Sequence, residues 1–570
     1  MAPRKYRAAR RCSILLMVWT VGAGASSTAG LTLTRDGVSD YSICVSASAS
    51  PSERRGAAEL QRFLWEISGA RLVIVDDKAA PQGRLILVGR SRVVDSLQAQ
   101  IPYEALGEEG FVLKTTGEHL IIAGGRKRGT MYGVYTFLEK LGCRWFTPDL
   151  SRIPKRRTVN IAPLNEQHRP SFEYREPYFR EAFDKDWAAR NKMNGGSLQL
   201  DDSTGGSLKY YPFVHSFYAL IPPEEYFKDH PEYFSLIDGK RRERGGQLCL
   251  TNPDVLRLSI KKVLDWGREH PEAQICSVSQ NDWDGWCECD RCRQVEAEEG
   301  GAHSGPLLRF VNALAAEVEK HDPGKLIDTL AYTYTEAPPL RARPRRNVRI
   351  RICPIGACEA HPYEQCPYNA YFMDNLRVWS KITNQLYIWH YNTNFRHYLQ
   401  PFPDFDELAA DIPMYQRHGV VGLFMQGGAA VGGGAENAEL RSWVLSRLLW
   451  DCDADARQAR NEFMEAAYGA AAPLMRQYFE LLHRQVRRPP EGLGHHIWIF
   501  THPGTPFLTE DFVRQAKDLL LRAERTASDS ASRRRVRKAR LSIDYVEMFW
   551  SMRYFVADGW FAPRDMDGLR

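Results

Sequence analysis

Ile275-Cys276-Ser277-Val278-Ser279-Gln280-Asn281-Asp282, followed at once by Trp283-Asp284-Gly285-Trp286-Cys287-Glu288-Cys289-Asp290-Arg291-Cys292, is the stretch on which the fold turns. A short run of mostly β-prone residues stops in an amide, a carboxylate and an aromatic ring, the pattern of a buried parallel strand handing over to a functional loop. On either side, similar segments recur at 172–179, 213–217, 247–250, 326–335, 348–354, 385–391 and 420–426. Helical patterns at 253–268, 307–320, 371–381 and 405–418 fall between several of them. Strands alternating with helical crossovers predict an α/β fold with a (β/α)8 TIM-like barrel. A doubly wound open sheet is the alternative, disfavoured because no Gly-rich phosphate loop follows an early strand.

The flanks divide the 570-residue chain further. Residues 1–30 read as an export signal, with Arg4, Lys5, Arg7, Arg10 and Arg11 before the apolar run Ile14 to Trp19 and then small residues. That run is too short for a stable membrane span, so an exported mature protein without a transmembrane segment is expected. Residues 31–165 read as a small α+β accessory domain. In it Ser50-Pro51-Ser52-Glu53 forms a capping box ahead of Ala57, Leu60, Leu64 and Ile67 at helical spacing. The barrel is assigned to 166–435, with a glycine-rich loop at 427–434, and a helical region to 436–570.

Charge excludes one class of partner. The net charge of +6 comes from 76 basic and 70 acidic residues, and five of the basic ones sit in the leader. No concentrated basic face remains, so nucleic acid is not expected as a partner. The 14 Trp and 25 Tyr residues suit the faces of sugar rings.

In a barrel the reacting groups stand where strands end, because only those loops meet over the open mouth. Asn281 and Asp282 end the fourth predicted strand, with Trp283 beyond them. Tyr334 and Glu336 end the fifth, Trp389, His390 and Tyr391 the seventh, and Gln426 the eighth; His215 lies on the second. Two carboxyls among stacking rings are the equipment of glycoside cleavage, in which an acid protonates the leaving oxygen while a second group supports positive charge at the anomeric carbon. Asp282 and Glu336 are therefore the candidate catalytic pair. Asn281, Trp283, His215, Tyr334, Trp389, His390, Tyr391 and Gln426 are the candidate substrate-binding residues.

Longer patterns add to this reading. The segment from Arg128 through Met131-Tyr132-Gly133-Val134-Tyr135 to Cys143-Arg144-Trp145-Phe146-Thr147-Pro148 resembles the end of the accessory domain preceding the catalytic barrel in β-hexosaminidases and bacterial α-glucuronidases. Tyr226-Phe227-Lys228-Asp229-His230-Pro231-Glu232-Tyr233-Phe234, Gln247-Leu248-Cys249-Leu250-Thr251-Asn252-Pro253, the opening stretch and Leu386-Tyr387-Ile388-Trp389-His390-Tyr391 together resemble family 163 of the glycoside hydrolases, over roughly residues 170–450. That resemblance implies cleavage of β-linked N-acetylglucosamine in glycans, endo-acting within the core of N-linked glycans. It implies a substrate-assisted retaining route, for which we assign Glu336 of the candidate pair as acid/base and Asp282, helped by Asn281, to orienting the 2-acetamido group, or the two reversed. No cofactor is required for this chemistry, and a glycan or glycoprotein is the expected partner. An α-glucuronidase-like hydrolase and a non-catalytic carbohydrate-binding protein remain as alternatives.

The cysteines leave two readings open. Cys287, Cys289 and Cys292 have C-x-C-x-x-C spacing that suits three thiolates on one structural zinc, with Cys249, Cys276 or a histidine as fourth ligand. An exported protein forms disulfides instead, for which Cys353, Cys358 and Cys366 offer partners.

Overall fold

The computed structural model describes residues 30–79, 82–429, 434–487, 495–551, 554–557 and 560–563. The expected leader up to Ala29 and the middle of the loop at 427–434 lie outside the described residues.

The N-terminal part is a six-stranded sheet with two helices packed together. Its strands are β1 (Tyr41–Val45), β2 (Ile74–Asp76), β3 (Arg84–Val88), β4 (Phe111–Thr116), β5 (His119–Gly124) and β6 (Asn165–His168), in the order β6-β4-β5-β3-β1-β2. The helices are α1 (Pro51–Ser68) and α2 (Gly129–Lys140). The capping box starts α1: the Ser50 hydroxyl accepts from the Glu53 N–H at 3.2 Å, and the Glu53 carboxylate accepts from the Ser50 N–H at 2.8 Å. Gly69, at φ 83°, ends it in a left-handed cap that favours glycine.

The second sheet carries the site. β7 (Tyr174–Tyr178), β8 (Ile275–Ser277), β9 (Leu326–Ala331), β10 (Val348–Ile352), β11 (Leu386–Tyr391) and β12 (Val420–Gln426) are all parallel, in the order β7-β12-β11-β10-β9-β8. Helices α3 (Pro253–Glu269), α4 (Asp290–Glu298), α5 (Ser304–His321), α6 (Ala370–Ile382) and α7 (Phe405–Arg417) fall between its strands in the chain. Beyond it come α8 (Ala438–Trp450), α9 (Ala456–Tyr468), α10 (Ala472–Arg484), α11 (Glu510–Thr526) and α12 (Ser530–Ser551), which pack in sequence. The result is a curled parallel sheet with many helices, in line with a TIM-like architecture.

Six of the eight expected strands are present, and two are not. Segment 209–217 runs along the free edge of β8 but makes one isolated bridge, Tyr210 with Ile275. Pro212 has no N–H to continue the ladder, and His215 adopts φ 52°, outside the extended region. The segment still bonds to β8 irregularly: the Tyr211 N–H donates to the Ile275 carbonyl at 2.9 Å and the Ser277 N–H to the Pro212 carbonyl at 3.2 Å. At 247–250 there is one bridge, Leu248 with Phe234. The Gln247 side chain is occupied elsewhere, accepting from the Asn281 N–H at 2.9 Å and donating to the Trp283 carbonyl at 2.5 Å.

A buried ion pair holds that irregular edge. Asp328 of β9 and Arg351 of β10 are essentially inaccessible, with Oδ1 and Nη2 2.6 Å apart. The same Nη2 donates to the Phe213 carbonyl at 2.8 Å, and the Ser277 hydroxyl of β8 donates to Asp328 at 3.2 Å. One pair thus touches β8, β9, β10 and the broken edge segment. The N-terminal part is joined to β7 in a similar way. Glu109 accepts from Arg128 at 2.5 Å, Arg175 at 2.7 Å and Asn194 at 2.8 Å. Burial pushes the Glu109 carboxyl up, but Arg175 and Arg128 outweigh it and hold it down at about 2.

Removing one member of a buried pair strands the other charge without compensation. Asp328→Asn is expected to lower unfolding stability by about 3–5 kcal/mol, with Asp328→Leu/Arg351→Met recovering much of the loss. Denaturant titration checks this; a single variant within about 0.5 kcal/mol of wild type would contradict the assigned role.

Candidate functional site

Side chains alternate along a strand, so parity decides which residues of β11 face the sheet interior. Tyr387 packs inside with Tyr174 and Phe424, and Trp389 and Tyr391 follow on the same face. Along β9, Asp328, Leu330 and then Tyr332 share the inner face. Where the strands end, these side chains enclose a cavity of about 310 Å³. Asp282, His215, Tyr332, Trp389, Tyr391 and Gln426 line it, with Cys353, Ile355, Phe395, Ile499 and Phe500 completing the wall.

Arg351 forms the support beneath. Its guanidinium lies 4.7 Å from the Phe213 ring centroid and 5.2 Å from that of Trp389. The Trp389 indole N–H donates to Gln426 Oε1 at 2.6 Å, fixing the ring at the mouth.

Asp282 is the single carboxylate among the described residues lining the cavity. Its Oδ1 accepts from the Tyr332 hydroxyl at 3.0 Å and faces His215 Nε2 at 3.6 Å, while the side chain stays 61% exposed. Tyr332 is held from behind: Gln280 donates to the Tyr332 carbonyl at 3.2 Å and to Thr335 Oγ1 at 2.7 Å. His215 is held in its left-handed conformation by its N–H bond to Ser279 Oγ at 2.9 Å. Its Nδ1–H donates to the Gln280 carbonyl at 2.7 Å, since a carbonyl can only accept. Ser279-Gln280-Asn281-Asp282 therefore positions both partners of its own carboxylate.

The other expected residues lie elsewhere. Glu336 follows the turn after β9 but does not line the cavity; it faces Asn375 of α6, and its carbonyl accepts from the Trp379 indole at 2.9 Å. The expected pair, Asp282 and Glu336, is thus not brought together in one wall. Burial raises the Glu336 carboxyl to about 7, with Asn375 opposing. His390 has the opposite parity to Trp389 and points to the outer face. There it is fully buried, with Nδ1 3.0 Å from the Tyr415 hydroxyl and Nε2 3.3 Å from Glu407. Asn281 is buried too, donating to the Gly246 carbonyl at 3.2 Å and accepting from the Tyr218 N–H at 3.3 Å. Trp283 is exposed and donates to the same carbonyl at 2.9 Å. Tyr334 turns away with the 3-10 turn Thr333–Thr335, in which Thr333 has φ 48°, and its ring centroid lies 5.4 Å from that of Trp286.

Tyr332 was reachable from sequence, because alternation from Asp328 through Leu330 points to it rather than to Tyr334. Phe500 and Ile499 come from a distant segment and carry no such signal. The cysteine cluster gains its fourth member: Cys249, Cys287, Cys289 and Cys292 bring their sulfurs within 4.8 Å of one another. The described cysteines are all free, so no disulfide joins this cluster to Cys353, Cys358 or Cys366.

The model of the family described as Domain of unknown function (DUF4838) matches residues 145–480, more than half of the chain. The Glycosyl hydrolase family 67 N-terminus matches residues 38–137. No curated protein matches in sequence. Among solved structures, a family GH115 4-O-methyl-alpha-glucuronidase with specificity for decorated arabinogalactans superposes with a TM-score of 0.54 at 14% identity, over 90% of this chain and 72% of its own. A second, CpGH84D, superposes at 0.49 with 9% identity, over 92% of this chain and 87% of its own. The first of these likenesses shows a fold shared with a glycoside hydrolase.

The raised Glu336 carboxyl gives a pH-dependent stability. A carboxyl whose acid form the fold favours contributes stability that is complete below its ordinary value of 4.5 and lost as pH rises through about 7. Relative to Glu336→Gln, wild type should therefore lose about 3 kcal/mol between about pH 4 and pH 8. Denaturant titration of both proteins at the two pH values checks this, and a pH-independent difference would contradict it.

Proposed function

This chain belongs to the DUF4838 family, and we propose that it is an exported glycoside hydrolase that cleaves β-linked N-acetylglucosamine in glycans, within the core of N-linked glycans. One observation carries the reading: a cavity at the strand ends, walled by Tyr332, Trp389, Tyr391, Phe395 and Phe500, with the Asp282 carboxylate held toward it by Tyr332. Aromatic walls present flat faces to sugar rings, and the carboxylate meets the charge or amide of the reacting ring. The resemblance to family 163, the match to the family 67 N-terminus and the shared glycoside hydrolase fold support it.

In the mechanism, the oxygen of the sugar's own 2-acetamido group attacks the anomeric carbon as the glycosidic bond breaks. The acid gives its proton to the leaving oxygen, and the acetamido group becomes part of a positively charged bicyclic ring. Asp282, with Tyr332 and His215 beside it, accepts the acetamido N–H and supports that charge. Water then attacks the same carbon and gives its proton to the base, restoring the acetamido group and retaining the configuration. Glu336 serves as this acid and base, since a carboxyl raised to about 7 holds its proton near neutrality. Because it faces Asn375 outside the cavity wall, this role requires its side chain to turn toward the cavity.

The uronate of a glucuronidase substrate calls for a cation, and among the described residues no lysine or arginine lines the cavity. A second reading, a non-catalytic carbohydrate-binding protein, is favoured by one specific observation: among the described residues Asp282 is the single carboxylate lining the cavity.

Aryl β-N-acetylglucosaminide, aryl glucuronide and intact N-glycoprotein, with products read by mass spectrometry, separate these readings. Cleavage of the first or third, lost by about 100-fold or more in Asp282→Asn and in Glu336→Gln, is expected. Loss in Asp282→Asn alone would transfer the acid/base role to Asp282. Glycan binding without cleavage would establish the binding protein, and an active Asp282→Asn would overturn the reading.

A further inference from the structure

Away from the cavity lies a second set of soft ligands. Cys358, His361, Cys366 and His496 each offer one atom to a single point, all four within 4.8 Å of one another. Cys358 Sγ is 3.3 Å from His361 Nδ1, and Cys366 Sγ is 3.7 Å from His496 Nδ1. Three of the four come from the loop after β10; the fourth comes from 130 residues further along the chain.

The surroundings of His361 fix which of its atoms is free to bind. Its Nε2 is 2.6 Å from the Val486 carbonyl. A carbonyl has no proton to give, so the imidazole proton sits on Nε2 and the Nδ1 lone pair faces the sulfurs. A histidine whose far nitrogen donates to a backbone carbonyl is how proteins orient an imidazole toward a metal. Cys358 is fixed as firmly: its N–H donates to Asn369 Oδ1 at 2.7 Å, and Asn369 donates back to its carbonyl at 2.9 Å. Cys358 and His496 also line a cavity of about 520 Å³, which gives an ion a way in.

We propose that Cys358, His361, Cys366 and His496 bind a structural zinc ion. Two thiolates and two neutral imidazoles satisfy a tetrahedral divalent ion and cancel its charge. A Cys358–Cys366 disulfide, the rival expected of an exported protein, would leave both histidine lone pairs without a role. Cys249, Cys287, Cys289 and Cys292 form a second zinc site on separate observations. There the Leu236 N–H donates to Cys287 Sγ at 3.4 Å and Arg241 Nη1 approaches it at 3.7 Å, offsetting the excess charge of four thiolates.

The mixed site has a consequence for the cavity. It ties the loop bearing Ile355 to the segment bearing Ile499 and Phe500, all three of which line the wall around Asp282. Backbone bonds run alongside: the Glu359 N–H donates to the Ile497 carbonyl at 2.8 Å, and the Phe395 N–H to that of Ile499 at 2.7 Å. Zinc here clamps a wall built from chain far apart in sequence.

The test needs no enzymatic activity, so it stands apart from the proposed function. Full-length protein purified without chelator is analysed for zinc, alongside Cys366→Ser and Cys289→Ser. Two zinc ions per chain are expected in wild type and one in each variant. Zinc content unchanged by Cys366→Ser, or a Cys358–Cys366 disulfide in peptide maps of unreduced wild type, would overturn the mixed site. Should the variants fail to fold, zinc-edge X-ray absorption of wild type decides. An average of three sulfurs to one nitrogen is expected, and sulfur alone would overturn it.

Discussion

A single buried ion pair, Asp328 with Arg351, sets the conditions for everything above it. The regular ladder of the parallel sheet stops at β8, where Pro212 and the left-handed His215 prevent a further strand. Arg351 reaches across that gap to the Phe213 carbonyl while its charge is balanced by Asp328 at 2.6 Å. The same guanidinium lies against Trp389, so the edge of the sheet and the floor of the cavity depend on one group. A charge pair this deep is poor in net stability but strict in geometry, since neither member tolerates an unpaired partner.

From that floor, the cavity is built by parity and by clamps. Alternate residues of β9 and β11 bring Tyr332, Trp389 and Tyr391 to one enclosure, and send His390 to the opposite face among buried carboxyls. The Gln280 side chain holds the segment whose Tyr332 hydroxyl donates to Asp282, and the His215 bond to the Gln280 backbone sets the imidazole beside the same carboxylate. The remaining wall, Ile499 and Phe500, is held by backbone bonds, the Phe395 N–H donating to the Ile499 carbonyl. The same folding device therefore recurs: where regular hydrogen bonding ends, a polar cluster from distant chain completes the enclosure.

Much of this was legible in the sequence, for a physical reason. Buried parallel strands read as apolar runs at β11 and β12, whereas β7 and β10 carry buried charged residues and are legible as β-prone segments alternating with helical patterns. The two that differ, at 213–217 and 247–250, look like strands by composition, but proline and a left-handed histidine break the ladder at the first, and at the second the Gln247 N–H donates to the Gly285 carbonyl and its carbonyl accepts from the Ser235 N–H. Asp282, Trp389, Tyr391 and Gln426 line the cavity from strand ends or the loops that follow them, and His215 lines it from the irregular edge segment. His390 and Tyr334 miss it because one residue of parity, or one positive φ, turns a side chain to the other side. Glu336 had the right strand end and the wrong direction, which sequence spacing does not encode. His496 gives no signal because it lies 130 residues from Cys366 in the chain, while His361 stands between Cys358 and Cys366 in the same loop.

The central claim is that a sugar bearing a 2-acetamido group reacts in the cavity beside Asp282. A stable thiazoline of N-acetylglucosamine mimics the bicyclic intermediate of that reaction, and its binding can be titrated calorimetrically against wild type and Asp282→Asn. The account predicts one molecule bound per chain, weakened by about 100-fold or more in the variant. No binding to wild type, or equal binding to both, would contradict it.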